Sequence, residues 1–113
     1  MSTLKIWDLH LYYDGPITEE FMKGNIALAE SIAQEEGVIW KIWTYKKGTN
    51  HYGSTYLFKN IDYLVSYKQM HINRLKAIVI TDITDYIFDI FEDLSVINNA
   101  PLDLKKNQNN LSK

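Results

Sequence analysis

Residues 35–58 read "EEGVIWKIWTYKKGTNHYGSTYLF". Two segments rich in branched and aromatic residues, Val38–Tyr45 and Gly53–Phe58, flank the turn-forming run "KKGTN". Strand side chains alternate between two faces. Alternation through the first segment puts Val38, Trp40, Ile42 and Thr44 on one face, and Ile39, Lys41, Trp43 and Tyr45 on the other. A tryptophan on each face means that neither face is reserved for water.

Outward from this hairpin the elements follow in order. Leu4–Tyr13 alternates and reads as a strand, broken by "DGP" at Asp14–Pro16. Thr18 is placed to cap a helix, with Glu19 and Glu20 at its positive end. Phe21, Leu28 and Ile32 recur at helical spacing, and Gly37 is a natural stop. After the hairpin, Asn60 is placed to cap a second helix. Its stripe is Ile61, Leu64, Val65, Ile72, Leu75 and Val79. Residues 80–92 form a fourth strand, and "LSVINNAPL" a short helical turn. "DLKKNQNNLSK" (Asp103–Lys113) is a polar, flexible tail.

The order β-α-β-β-α-β predicts a ferredoxin-like α+β domain over residues 1–102: an antiparallel four-stranded sheet with two helices on one face. Two helices cover only one face, and an uncovered face should alternate polar. Here it does not. The first strand puts Leu4, Ile6 and Tyr12 opposite Trp7, Leu9, Leu11 and Tyr13, and the fourth puts Ile83, Ile87 and Phe91 opposite Tyr86, Phe88 and Ile90. Apolar patches of that size are rarely left bare. With no third layer in the chain, a second copy is the expected cover, giving a homodimer through the sheet face.

Composition narrows the function. The 113 residues carry a net charge of −2, against a nucleic-acid partner. Without cysteine there are no disulfides and no thiolate chemistry, which fits a cytoplasmic protein. No segment reads as a signal peptide or a membrane span. "GTNHYGST" has phosphate-loop glycines but no lysine, and it leads into a strand. "NLS" at Asn110 lacks a secretion signal. His10, His51 and His71 have no metal-ligand spacing, so no metal or other cofactor is expected. His10 on a strand and His71 beside a helical stripe are each either a satisfied packing residue or a base working near neutral pH. Lys68 falls on the second helix's stripe, either with its head reaching water or facing a cavity. Arg74 lies with Tyr63, Tyr67 and Met70 on a second stripe, which reads as packing. The aromatic load of 13% serves a core, an interface, or a pocket for a flat apolar ligand.

"LHLYYDGP", "EEGVIWKIWT", "GSTYLF" and "HINRLK", in this order and spacing, resemble the YdhR-like monooxygenase family. The resemblance covers roughly Leu9 to Leu102. Its most specific element is Trp40, Lys41, Trp43 and Thr44 after a glycine. It implies a dimeric α+β barrel, two ferredoxin-like sheets packed face to face. It further implies a cofactor-independent monooxygenase acting on a small phenolic or polycyclic aromatic substrate between sheet and helices. By residue matching, His10, Trp43, Tyr56, His71 and Arg74 sit where the family has recurrent polar and aromatic residues. His10 or His71 would be the base, Tyr56 or Arg74 the donor to the peroxide, and Trp40 or Trp43 the pocket wall. Lys68 departs from the family's apolar pattern; facing the pocket, it would suit an anionic ligand. The competing class is a non-enzymatic small-ligand-binding or stress-associated protein on the same fold.

Overall fold

The computed structural model describes residues 2–78, 80 and 82–102. The expected tail and Val79 lie outside these described residues. The order is β1 (Lys5–Tyr12), α1 (Glu19–Lys23), α2 (Ile26–Ala33), β2 (Val38–Tyr45), β3 (His51–Phe58), α3 (Ile61–Ala77), β4 (Asp82–Asp89) and α4 (Glu92–Ile97). The strands form one antiparallel sheet in the order β2-β3-β1-β4. The expected ferredoxin-like α+β arrangement is therefore present.

Register assigns the faces. Trp7 lies opposite Tyr56 and Ile87, and Leu9 opposite Ser54 and Asp85. Trp7, Leu9, Leu11, Tyr52, Tyr56 and Phe58 form the core with Leu64, Tyr67 and Leu75 of α3. The opposite, open face carries His10 and Tyr12 from β1, His51 and Thr55 from β3, and Tyr86 and Phe88 from β4. In β2, Lys41 lies opposite Tyr56 and Trp43 opposite Ser54, on the helix-covered face, while Trp40 lies opposite Leu57 on the open face. The two tryptophans thus occupy opposite faces, as alternation requires. A bulge between Val38 and Trp40 moves Val38 across, so that it lies opposite Phe58 on the helix side. Trp40 donates its indole N–H to the Pro101 carbonyl, which pins the segment after α4 to this strand.

The caps form as the sequence indicates. Thr18 accepts from the Phe21 amide at 3.0 Å, and Asn60 from the Tyr63 amide at 3.0 Å. The first helix, expected to be continuous, is broken between α1 and α2. There the Asn25 side-chain amide donates to the Phe21 and Met22 carbonyls, substituting for helical amides. Gly37 does not end the helix, which stops at Ala33. Instead a Cβ at Gly37 would lie 2.3 Å from Tyr63 Cγ, so glycine is needed for α3 to approach β2. The inward stripe of α3 is also rotated from the expected one. Leu64, Tyr67, His71 and Leu75 are buried, while Ile61 and Val65 are exposed.

Candidate functional site

The rotation of α3 brings Tyr67 and His71 against the helix-covered face of the sheet. His71 is buried beside Trp7, with ring centroids 6.1 Å apart, and stacks on Tyr67 at 5.4 Å. Arg74, one turn on, donates from Nη2 to His71 Nδ1 at 2.7 Å and to the Tyr67 hydroxyl at 3.4 Å. Tyr67 and Tyr56 share a hydroxyl contact of 3.4 Å. A guanidinium only donates. His71 Nδ1 is therefore the acceptor, and Nε2 carries the ring's hydrogen.

From β2, the Lys41 ammonium reaches the same rings. Its Nζ lies 3.4 Å from the Trp43 ring centroid and 4.7 Å from that of Tyr56. Among the described residues the ion pairs are Lys5–Asp89, Asp8–His10 and Lys68–Asp85. Neither Lys41 nor Arg74 has a carboxylate at ion-pair distance there, and Arg74 Nε is buried without a hydrogen-bond partner. Lys41, Trp43 and Arg74 are each partly exposed, so the cluster reaches solvent between β2 and α3.

Burial, reinforced by the Arg74 charge, pushes the Lys41 amine down to about 7. Burial, then the Lys41 and Arg74 charges, push His71 down to about 3. Burial raises Tyr56 and Tyr67, so both hydroxyls stay protonated. The neutral His71 bears on stability. Between its ordinary 6.5 and about 3, the unfolded chain binds a proton that the folded chain refuses. Folding stability should therefore fall as pH drops through that window. Urea midpoints measured from pH 7 to pH 4 should show a steeper fall for wild type than for His71→Leu. Parallel slopes would contradict the placement of His71.

The seven residues singled out from the sequence divide between the two faces. Tyr56, His71, Arg74 and Trp43 come together on the helix-covered face. Lys68 reaches β4 instead. Its ammonium lies 2.6 Å from Asp85 Oδ2, which also accepts the Trp7 indole N–H at 2.8 Å. Burial alone would raise Asp85, but these two bonds outweigh it and hold the carboxyl below its ordinary range. Lys68 is thus already neutralised, and the cluster's cations without a carboxylate at ion-pair distance among the described residues are Lys41 and Arg74. Trp40 belongs to the open face and forms no wall of this cluster. His10 is also on the open face. Its Nε2 is 3.1 Å from Asp8 Oδ2 and its Nδ1 is 2.9 Å from His51 Nε2. A cleft of about 200 Å3 beside this pair is lined by His10, His51, Thr44, Tyr45, Lys46 and Tyr52. His10 and His71 therefore do not serve one site together.

Sequence reasoning missed Lys41 and Tyr67 as members of the cluster. The signal for Lys41 was available in its sharing a strand face with Trp43. Among the described residues no group of three or more His, Asp or Glu side chains is arranged to hold a metal ion, and no helix is long and apolar enough to cross a membrane.

The family described as "Putative mono-oxygenase ydhR" matches residues 6–101. No curated protein matches the chain. Among solved structures, a mutant of SnoaB, a cofactor-independent oxygenase from Streptomyces nogalater, superposes with a TM-score of 0.55. The sequences are 14% identical, over 78% of this chain and 92% of that one. At that identity the likeness speaks to the fold alone.

Proposed function

Because the chain belongs to the family described as "Putative mono-oxygenase ydhR", we propose that it is a cofactor-independent oxygenase whose small aromatic substrate binds between β2 and α3. The observation that carries this reading is the buried Tyr56–Tyr67–Arg74–His71 network beside Trp43, with two cations, Lys41 and Arg74, that have no carboxylate at ion-pair distance among the described residues. The substrate class is a phenolic or anthrone-like ring. Once a ring carbon has lost a proton, the carbanion reacts with dioxygen. One oxygen atom becomes a ring carbonyl and the other leaves as water, so no added reductant is needed. Trp43, one face of whose ring is capped by the Lys41 ammonium, forms part of the apolar wall beside the flat ring. Arg74 supplies the positive charge facing the peroxide anion that develops. His71 accepts from Arg74 and holds the guanidinium in place.

The test is oxygen uptake with a panel of hydroxyanthrones in the presence of a chelator and without added flavin. Turnover above the buffer rate supports the reading. No uptake with any member would overturn it and leave a ligand-binding protein of the same fold. The lack of cysteine fits work in the cytoplasm.

The same reading includes a homodimer through the open face. Ile42, Tyr86 and Phe88 are 53%, 51% and 49% exposed there. In α4, which follows β4, Leu94 and Ile97 are 61% and 79% exposed. Covering this surface would bury on the order of 2,000 Å2 in total, the range of obligate interfaces. Phe88→Glu should shift the mass seen by light scattering at micromolar concentration from dimer to monomer. A wild-type monomer at that concentration would refute the dimer.

A further inference from the structure

We propose that Lys41 is the catalytic base, the group that takes the proton from the substrate ring. Among the described residues near the cluster, every other titratable side chain is already engaged or keeps the wrong protonation state. His71 has no free lone pair, since Nδ1 accepts from Arg74 and Nε2 bears the hydrogen. His10 lies on the other sheet face with both ring nitrogens engaged, by Asp8 and His51. Asp85 already receives Trp7 and Lys68. Tyr56 and Tyr67 keep their protons, and a protonated phenol removes none. Arg74 is a permanent cation. Glu35 adds a charge that raises the Tyr67 hydroxyl and is itself engaged in an interaction of its own.

Lys41 differs from all of these. Its amine has no carboxylate partner among the described residues and lies over the Trp43 and Tyr56 rings. The amine caps one face of the Trp43 ring and is partly exposed, so a ligand entering where the cluster reaches solvent would meet it. Desolvation and the nearby Arg74 leave a substantial neutral fraction at neutral pH, the condition for an effective base. In the step itself, a ring C–H bond breaks and its electron pair stays on the ring as the enolate. The proton goes to the Nζ lone pair, and the ammonium so formed lies against the new anion. Dioxygen takes no part.

This assignment rests on the oxygenase reading for the kind of ring, but proton removal is measured without oxygen. The experiment is anaerobic exchange of the acidic ring hydrogens of anthrone in D2O, followed by NMR, with wild type, Lys41→Arg, Lys41→Met and Lys41→Ala. Wild type should accelerate exchange, with a rate that rises with pH and levels off above about 7. Lys41→Arg and Lys41→Met should lose about 100-fold or more. Added ethylamine should restore Lys41→Ala in proportion to its free-base concentration, which a merely structural role would not produce. Lys41→Met should also be no less stable than wild type, because it removes a buried charge. As a check that needs no variant to fold, NMR titration of the wild-type lysine ε-methylenes should show one midpoint near 7.

Exchange at equal rates in wild type and variants would overturn the assignment even if oxygen uptake is normal. So would an absence of exchange in wild type, or an ordinary lysine midpoint. Exchange that depends on Lys41 without any oxygen uptake would uphold the base and sink the oxygenase reading instead.

Discussion

Arg74→Gln is expected to lower kcat for oxygen uptake by about 100-fold or more while the protein stays folded. That is the loss typical when a donor facing a developing oxyanion is removed. The usual objection to such a variant is that it damages the structure. Here the damage should be small. Arg74 Nε is buried without a partner, and the guanidinium has no carboxylate at ion-pair distance among the described residues. Losing the charge removes an unfavourable burial as well as two hydrogen bonds. Activity and stability should therefore part company. Removing one of the charges that depress His71 and Lys41 should also move both upward, so the pH profile of any residual activity should shift to higher pH. An Arg74→Gln enzyme with wild-type kcat would take Arg74 out of the mechanism.

Gly53→Val should instead destroy the fold. Gly53 pairs with His10 in the β1–β3 ladder. A Cβ at Gly53 would lie 2.0 Å from the Leu9 carbonyl oxygen and 3.1 Å from its carbon. Both are backbone atoms of the neighbouring strand, so no rotamer change relieves the contact. The strands must separate or shift, and the same ladder sets Trp7 against Tyr56. A cost on the order of 3 kcal/mol or more is expected, at or above the upper range for overpacking, against a typical total of 5–15 kcal/mol. Circular dichroism should show loss of the cooperative melt at 37 °C. A variant melting within a few degrees of wild type would mean that β1 and β3 do not approach so closely.

Much of the fold was legible because several local signals agreed. Thr18 and Asn60 announced the helix starts, and both side chains cap as their types suggest. The alternation of β2 placed Trp40 and Trp43 on opposite faces, and the register keeps them there. What was not legible has physical causes. The bulge that moves Val38 leaves no mark in a run of branched and aromatic residues. The break before α2 depends on Asn25 turning back onto carbonyls of α1, where a polar residue in mid-helix reads equally well as a solvent-facing one.

The site suffered most from the α3 stripe. Counting aliphatic residues favoured Ile61 and Val65, which are exposed, over Tyr67 and His71, which are buried. Tyr67 is an aromatic whose hydroxyl finds Tyr56 and Arg74, so it packs inward without an unsatisfied group. Lys68, on the apparent stripe, swings to Asp85 on β4, a pairing between residues far apart in the chain. Lys41 was the hardest to see, since a lysine within a strand ordinarily faces water. Only the pairing of β2 with β3 reveals that it lies opposite Tyr56.

The three tryptophans offer one measurement that locates the substrate. Trp7 lies in the core with its indole N–H on Asp85, Trp40 on the open face with its N–H on Pro101, and Trp43 beside Lys41. Their three indole N–H signals can be resolved in a 1H–15N spectrum during anaerobic titration with 1,8-dihydroxyanthrone. Binding between β2 and α3 should move the Trp43 signal most, Trp7 less, and leave Trp40 in place. Movement of Trp40 with Trp43 unchanged would put the ligand on the open face beside His10 and His51, and would contradict the site proposed for this chain.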